Sequence, residues 1–286
     1  MVRIESRRTP STVLMTSTGM TVFVLAFIWL LVTGHTEIAQ SADPGATKAS
    51  LWAAVLPPLA AVALARLVPP AREALVPLAE LPGTRLRREA WALVSLAVLT
   101  VVALPVAGGA SPLVKGFLLL PVSLMIFRMT RRGGPKARAV PAPVTWLAPL
   151  PAVLAWFLLS QVSPLAVPLT QDLPDPVTLA IGSLLTLLTA SVLEEIFYRA
   201  WLQTRLEVLY GRWPAIMASS LLFALMHSAR IEADAPLLGL ATVIAFQGVF
   251  GLMVGYLWSR YRNIWAIILI HTITNLVYVP LLLGNT

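Results

Sequence analysis

The sequence predicts an all-α fold, a polytopic transmembrane helical bundle, on three observations. Of the 286 residues, 58% are hydrophobic and only 12% charged, with a mean hydropathy of +0.81, which is the balance of an integral membrane protein. Apolar stretches of roughly 18 residues or more, long enough to cross a bilayer as helices, recur about nine times. The basic residues alternate in density between those stretches, as they do where cytoplasmic loops collect Lys and Arg.

The stretches run 12–33, 50–68, 90–109, 112–128, 143–162, 176–198, 213–228, 237–258 and 264–283. The first follows Arg3, Arg7 and Arg8 as a signal peptide's apolar core would, but it is too long and lacks a small-residue cleavage site, so a retained helix is expected. The first four spans contain no acid and no histidine, which predicts a scaffold. Lys115, near an outer membrane surface, is expected to snorkel. Gly133-Gly134-Pro135, flanked by Arg and Lys, marks a cytoplasmic connector. It divides the chain into N-terminal transmembrane helices, 1–140, and a functional core, 141–286. In the core, Gly211-Arg212-Trp213-Pro214 stops the sixth helix and restarts the next. Gly248, Gly251 and Gly255 line the eighth at a spacing that lets backbones approach closely. Trp146, Trp156, Trp201, Trp213, Trp258 and Trp265 fall mostly near span ends, as an interfacial belt would.

With the N-terminus cytoplasmic and about eight to nine spans, nine crossings put 18 of the 21 Lys and Arg residues inside and three, Lys48, Lys115 and Arg230, outside. That asymmetry and anionic lipid account for the net charge of +8, so no nucleic-acid partner is implied. The chain has no cysteine, which removes disulfides, thiolate metal sites and a Cys nucleophile together. Its richness in Ala, Val, Leu, Arg and Pro is that of a high-GC bacterial source, and predicts a multi-pass protein of a bacterial plasma membrane.

Glu194-Glu195 lies inside a hydrophobic run, where a lipid-facing helix has no structural reason to carry two carboxylates. Glu195 and Arg199, four apart, form a natural ion pair, leaving Glu194 on a different face. The competing account is a solvated helix end continued by wet residues at Gln203, Arg205 and Glu207. Later spans add Phe223 with His227 and His271 with Asn275, each pair sharing a helix face. Glu194 and His227 are nearly equidistant from the Gly211 turn, so an antiparallel hairpin brings them level. A carboxylate in such a site suits a general base, His227 can orient or activate a water, and His271 with Asn275 can hold an oxyanion. The same Glu194, His227 and His271 are an acceptable zinc ligand set with water in the open position, although His-Glu-x-x-His is missing. A Gly-x-Ser-x-Gly elbow is also missing, and Asp172 and Asp175 sit together outside, which argues against serine and aspartyl chemistry.

Glu194-Glu195-x-x-x-Arg199, Phe223-x-x-x-His227 and His271-x-x-x-Asn275, in this order on successive helices, resemble the three motifs of the CAAX protease and bacteriocin-processing (CPBP, or Abi) intramembrane proteases. The stretch from Gly255-Tyr256-Leu257-Trp258 through Asn263-Ile264-Trp265-Ala266 is similar to that family's approach to its last motif. The resemblance covers about 143–283. It implies a helical-bundle endopeptidase, a hydrolase historically labelled a metalloendopeptidase, whose site opens toward the cytoplasm. Glu194 would be the base, His227 its partner in activating water, His271 and Asn275 the oxyanion site, and Glu195 and Arg199 the supporting pair, with Phe223 beside them. In this reading no cofactor is required, zinc being the alternative, and the partner is a membrane-associated peptide, CAAX-like in the eukaryotic branch. From a different class comes a non-catalytic immunity or scaffold protein that binds a partner through the same cavity. A proton-coupled transporter is a third.

Overall fold

The computed structural model describes residues 10–39, 48–70, 78, 81–131, 145–167, 175–228, 231 and 234–276. Among these residues the chain forms nine helices and one two-stranded antiparallel hairpin, β1 (Glu37–Ala39) with β2 (Lys48–Ser50). The helices are α1 (Pro10–Val32), α2 (Leu51–Leu67), α3 (Gly83–Ala107), α4 (111–131), α5 (Leu150–Val162), α6 (Pro176–Tyr210), α7 (Arg212–Leu225), α8 (Pro236–Tyr261) and α9 (Ile264–Asn275). Each apolar stretch of the sequence corresponds to one helix. The expected connector at Gly133-Gly134-Pro135, the division at 140 and 141, the basic residues Arg3, Arg7, Arg8, Arg72, Arg132, Lys136, Arg138 and Arg230, and Asp172 all lie outside the described residues.

The ends follow from local chemistry. Ser50 caps α2 by accepting from the Ala53 N–H, and Asn263 caps α9 by accepting from the Ala266 N–H. The Asp175 carboxylate accepts from the N–H groups of Val177 and Thr178 at the start of α6, and a hydrogen bond with the Thr178 side chain holds its carboxyl below the usual aspartate range. Gly108 and Gly211, with φ of +51° and +89°, end α3 and α6 in backbone conformations that suit glycine.

Four helical runs, Pro10–Val32, Gly83–Arg131, Pro176–Tyr210 and Pro236–Tyr261, are long and apolar enough to cross a membrane. The second of these is broken at Gly108, so α3 folds back to pack against α4. Helices α2, α5, α7 and α9 have 10–17 residues; the last part of the ninth stretch, 277–283, lies outside the described residues. Leu14, Leu25, Val106, Leu113 and Leu184 are exposed, as lipid-facing side chains would be. The chain is a helical membrane protein.

Small residues and buried ion pairs bring the core together. A Cβ at Gly251 would lie 3.2 Å from Ser220 Cα and 3.4 Å from Arg199 Nη2, so α8 lies directly on α6 and α7. Three expectations need correction at the basic end of the bundle. The scaffold helices do hold a buried acid: Glu89 of α3 is 0% exposed and takes Arg205 Nε at 2.8 Å and Nη2 at 2.7 Å, Arg85 Nε at 2.8 Å and Thr130 Oγ1 at 2.9 Å. Gln203, Arg205 and Glu207 are not wet but buried. Gln203 donates to the Gly255 carbonyl at 2.8 Å, while Glu207 accepts from Ser259 Oγ at 2.7 Å and pairs with Arg262 Nη2 at 2.9 Å. An amphipathic-looking helix end is thus dry because α3 and α8 supply counter-charges that lie far away in sequence. Finally, Trp156, Trp201 and Trp258 are buried rather than interfacial; Trp258 donates to Thr204 Oγ1 at 3.0 Å.

Candidate active site

Both carboxylates of α6 are inside the protein, Glu194 at 1% and Glu195 at 0% exposure, which removes the account of a solvated helix end. The helix widens into π-helical turns over Leu187–Val192 and Ile196–Gln203 on either side of them. Such widened turns rotate side chains out of the regular register and recur at functional sites.

Glu194 Oε1 accepts from the Lys115 ammonium of α4 at 2.7 Å. Its second oxygen has no hydrogen-bond partner and faces His271 Nε2 of α9 at 3.9 Å. Glu195 Oε1 lies 2.7 Å from His271 Nδ1, and its Oε2 lies 3.4 Å from Arg199 Nε. Arg199 in turn donates through Nη1 to Ser219 Oγ at 3.0 Å and sits 4.8 Å from the centre of the Phe223 ring. Lys115 therefore does not snorkel to a membrane surface; the carboxylate it reaches comes from a helix 79 residues away, a proximity no local pattern signals.

Phe223 packs edge-on against Tyr198, His227 and His271, with ring centres 5.5, 5.1 and 5.9 Å apart. Phe250 of α8 lies 5.0 Å from His271 and 6.3 Å from Phe223. Phe223 thus packs against both imidazoles, and Phe250 against His271. His227, just beyond α7, directs Nδ1 to the Phe223 carbonyl at 2.9 Å. Because a carbonyl only accepts, Nδ1 carries a proton, and Nε2 is the acceptor of the neutral ring. His227 is within electrostatic range of Glu194. Asn275, the last residue of α9, donates through Nδ2 to Ser191 Oγ at 3.2 Å, one turn before Glu195 on α6. Sequence reasoning missed Ser191 as well as Lys115.

Among the described residues, no group of three His, Asp or Glu side chains is arranged to hold a metal ion.

The cluster's depth follows from the helix lengths. At ~1.5 Å per residue, Lys115 is ~6 Å from the start of α4 and ~24 Å from its end. His227 follows the end of α7 and Asn275 ends α9. Helix α6 begins 18 residues before Glu194, and α8 begins 14 residues before Phe250, which touches His271. Three helices therefore start or stop near the cluster while two continue past it. The basic residues Arg85, Arg131, Arg205, Arg212, Arg260 and Arg262 gather at the opposite helix ends.

Residues 176–277 match the family model of Rce1-like type II CAAX prenyl endopeptidases. The family expected from the three motifs is the one found. The matched segment holds α6 to α9 and all three motifs, and leaves α1 to α5, Lys115 among them, outside it. No curated protein and no solved structure matches the chain. The Rce1-like family is one of endopeptidases, and peptide-bond hydrolysis is the activity to which the match points.

Proposed function

We propose that the chain is an intramembrane endopeptidase that hydrolyses a peptide bond of a membrane-associated, CAAX-like substrate by direct attack of water. The observation that carries this reading is the asymmetry of Glu194: one buried oxygen is held by Lys115, and the other faces His271 Nε2 across 3.9 Å. At a separation above ~3.5 Å the imidazole does not hold Oε2 directly, which leaves that oxygen open to a water.

In this reading a water donates one hydrogen to Glu194 Oε2 and the other to His227 Nε2, which aims its lone pair at the scissile carbonyl carbon. Glu194 takes the proton as the carbon–oxygen bond forms. The carbonyl oxygen becomes an oxyanion and meets Asn275 Nδ2 and, in the imidazolium form of His271, its Nε2–H. Glu194 then hands its proton to the amide nitrogen as the carbon–nitrogen bond breaks, releasing a carboxylic acid and an amine. Glu195 and Arg199 serve by fixing His271 and Phe223, since Glu195 grips Nδ1 and Arg199 bridges Glu195, Ser219 and the Phe223 ring.

Two observations favour the form without metal. Glu194 would bring to zinc a carboxylate already paired with an ammonium, and His271 is committed through Nδ1 to an acid it would have to share with the cation. The donor set does not fit a zinc site, so no step runs through one.

Turnover of fluorescence-quenched peptides, one of them farnesylated, by wild type and Glu194→Gln with and without chelator tests the proposal. Cleavage lost in the variant and unaffected by chelator supports it. Chelator sensitivity reversed by zinc would return Glu194 and the histidines to ligand roles, and a phenotype that survives Glu194→Gln would favour the binding or immunity protein.

The setting we infer is a bacterial plasma membrane with the basic helix ends cytoplasmic and nine crossings. The short ends of α4, α7 and α9 then favour an opening away from the basic face, not the cytoplasmic opening the family resemblance implies.

A further inference from the structure

We infer that Lys115 is a positioning residue for the general base, so that α4, outside the segment that matches the family, completes the active site. This inference rests on the peptidase reading of Glu194. Lys115 is the one cation whose ammonium lies within hydrogen-bond distance of Glu194 among the described residues, at 2.7 Å, with its side chain 15% exposed and the carboxylate 2% exposed. Arg199 does not substitute for it, because Arg199 is turned to Glu195 and Ser219.

A carboxylate buried to this degree must be neutralised or paired. Pairing with a metal ion would occupy the oxygens that water needs. Pairing with an ammonium occupies one of them. Lys115 thus keeps Glu194 ionised and selects Oε2, the oxygen on the His271 side, as the proton acceptor. An ammonium on a flexible stem is also a point charge, without the fork that would bind both oxygens of the carboxylate, as a bidentate arginine does. The α3–α4 turn at Gly108, with φ of +51°, lies seven residues before Lys115 and lets α4 start four residues before it, which sets the height at which the ammonium meets α6.

The test uses the full-length protein in detergent or nanodiscs, with Lys115→Met, Lys115→Arg, Glu194→Gln and Lys115→Met/Glu194→Gln. Kinetics are read per folded molecule on the quenched peptide that wild type cleaves. Lys115→Met is expected to lower kcat on the order of 100-fold with KM changed less than about threefold, because the base is misplaced while the substrate's contacts persist. Lys115→Arg, which keeps the charge but can reach both oxygens, is expected to restore thermal stability more fully than kcat, a split that a purely structural role would not produce. In thermal unfolding, the double variant should lose less than the sum of the two single losses, since each single change strands one buried charge and the double strands none. Wild-type kcat in Lys115→Met, or additive thermal losses, overturns the inference. If Glu194→Gln itself cleaves normally, the reading of Glu194 as the general base fails instead; if Glu194→Gln is inactive while Lys115→Met keeps its kcat, only the role of Lys115 fails.

Discussion

His271 Nδ1 lies 2.7 Å from Glu195 Oε1, joining the last described helix to the acid pair of α6 through a contact 76 residues long in sequence. The second carboxylate of the motif is thereby more than the partner of Arg199: it fixes the rotation of the ring whose Nε2 faces Glu194. Replacing Glu195 with Gln keeps an acceptor but removes the charge and leaves Arg199 buried without its counter-ion. The expected outcome is a kcat reduced on the order of 10- to 100-fold, from loss of an oriented partner to a catalytic imidazole, accompanied by a lower melting temperature. Glu194→Gln, by contrast, should abolish turnover. Comparing kcat and thermal unfolding of the two variants checks the division of labour.

Asn275 is held by Ser191 at 3.2 Å. Ser191→Ala removes an acceptor that orients the amide without removing the amide, so turnover should fall by roughly tenfold, about what one neutral hydrogen bond is worth. Asn275→Ala, which deletes an oxyanion donor, should lower kcat on the order of 10²-fold. Steady-state kinetics on one peptide orders the two; equal losses would remove Ser191 from the account.

Glu89 and Arg205 form a node of stability remote from the chemistry. Glu89→Ala leaves the Arg205 guanidinium, stacked over Phe127 at 4.3 Å, buried and unpaired, which costs about 3–5 kcal/mol by analogy with other broken buried pairs. The expected result is a marked loss of thermal stability with kcat per folded molecule unchanged. Glu194→Gln should instead abolish kcat per folded molecule, with a thermal loss confined to the stranding of Lys115.

Side-chain space at Gly251 is closed by Ser220 Cα at 3.2 Å and Arg199 Nη2 at 3.4 Å. Gly251→Leu should therefore separate α8 from α6 and α7 and depress both stability and activity. Gly116→Ala, where nothing lies within 4 Å of an added Cβ, should do neither. Thermal unfolding in detergent separates the two.

The absence of cysteine makes the sidedness of the site directly measurable. Single cysteines at Ser111, by the start of α4, and at Arg212, at the basic end, should be labelled by a membrane-impermeant maleimide from opposite faces. Labelling of both from the same face would reject the inferred opening.

How much was legible depended on the range of the interaction. The nine helices, the Gly211 turn and the face-sharing pairs Glu195 with Arg199, Phe223 with His227 and His271 with Asn275 rest on periodicity, which is local. Glu89 was invisible as a buried acid because it stands beside Arg85, Arg87 and Arg88 at what reads as a wet helix end; only the approach of α6 with Arg205 makes that end dry. Lys115 reads as a snorkelling residue for the same reason, since a lone lysine near a span end is at home at an interface unless another helix brings it a carboxylate.

The sequence by itself determined the solvent, the helical stretches and the three motifs, which lie in the segment that matches the endopeptidase family, because hydropathy and helical spacing are written residue by residue. The tertiary structure alone decided which charge meets which: Lys115 with Glu194, His271 with Glu195, Arg205 with Glu89. In a low-dielectric interior a charge must find a counter-charge wherever the fold supplies one, and those partners lie on helices 76 to 116 residues apart in the chain.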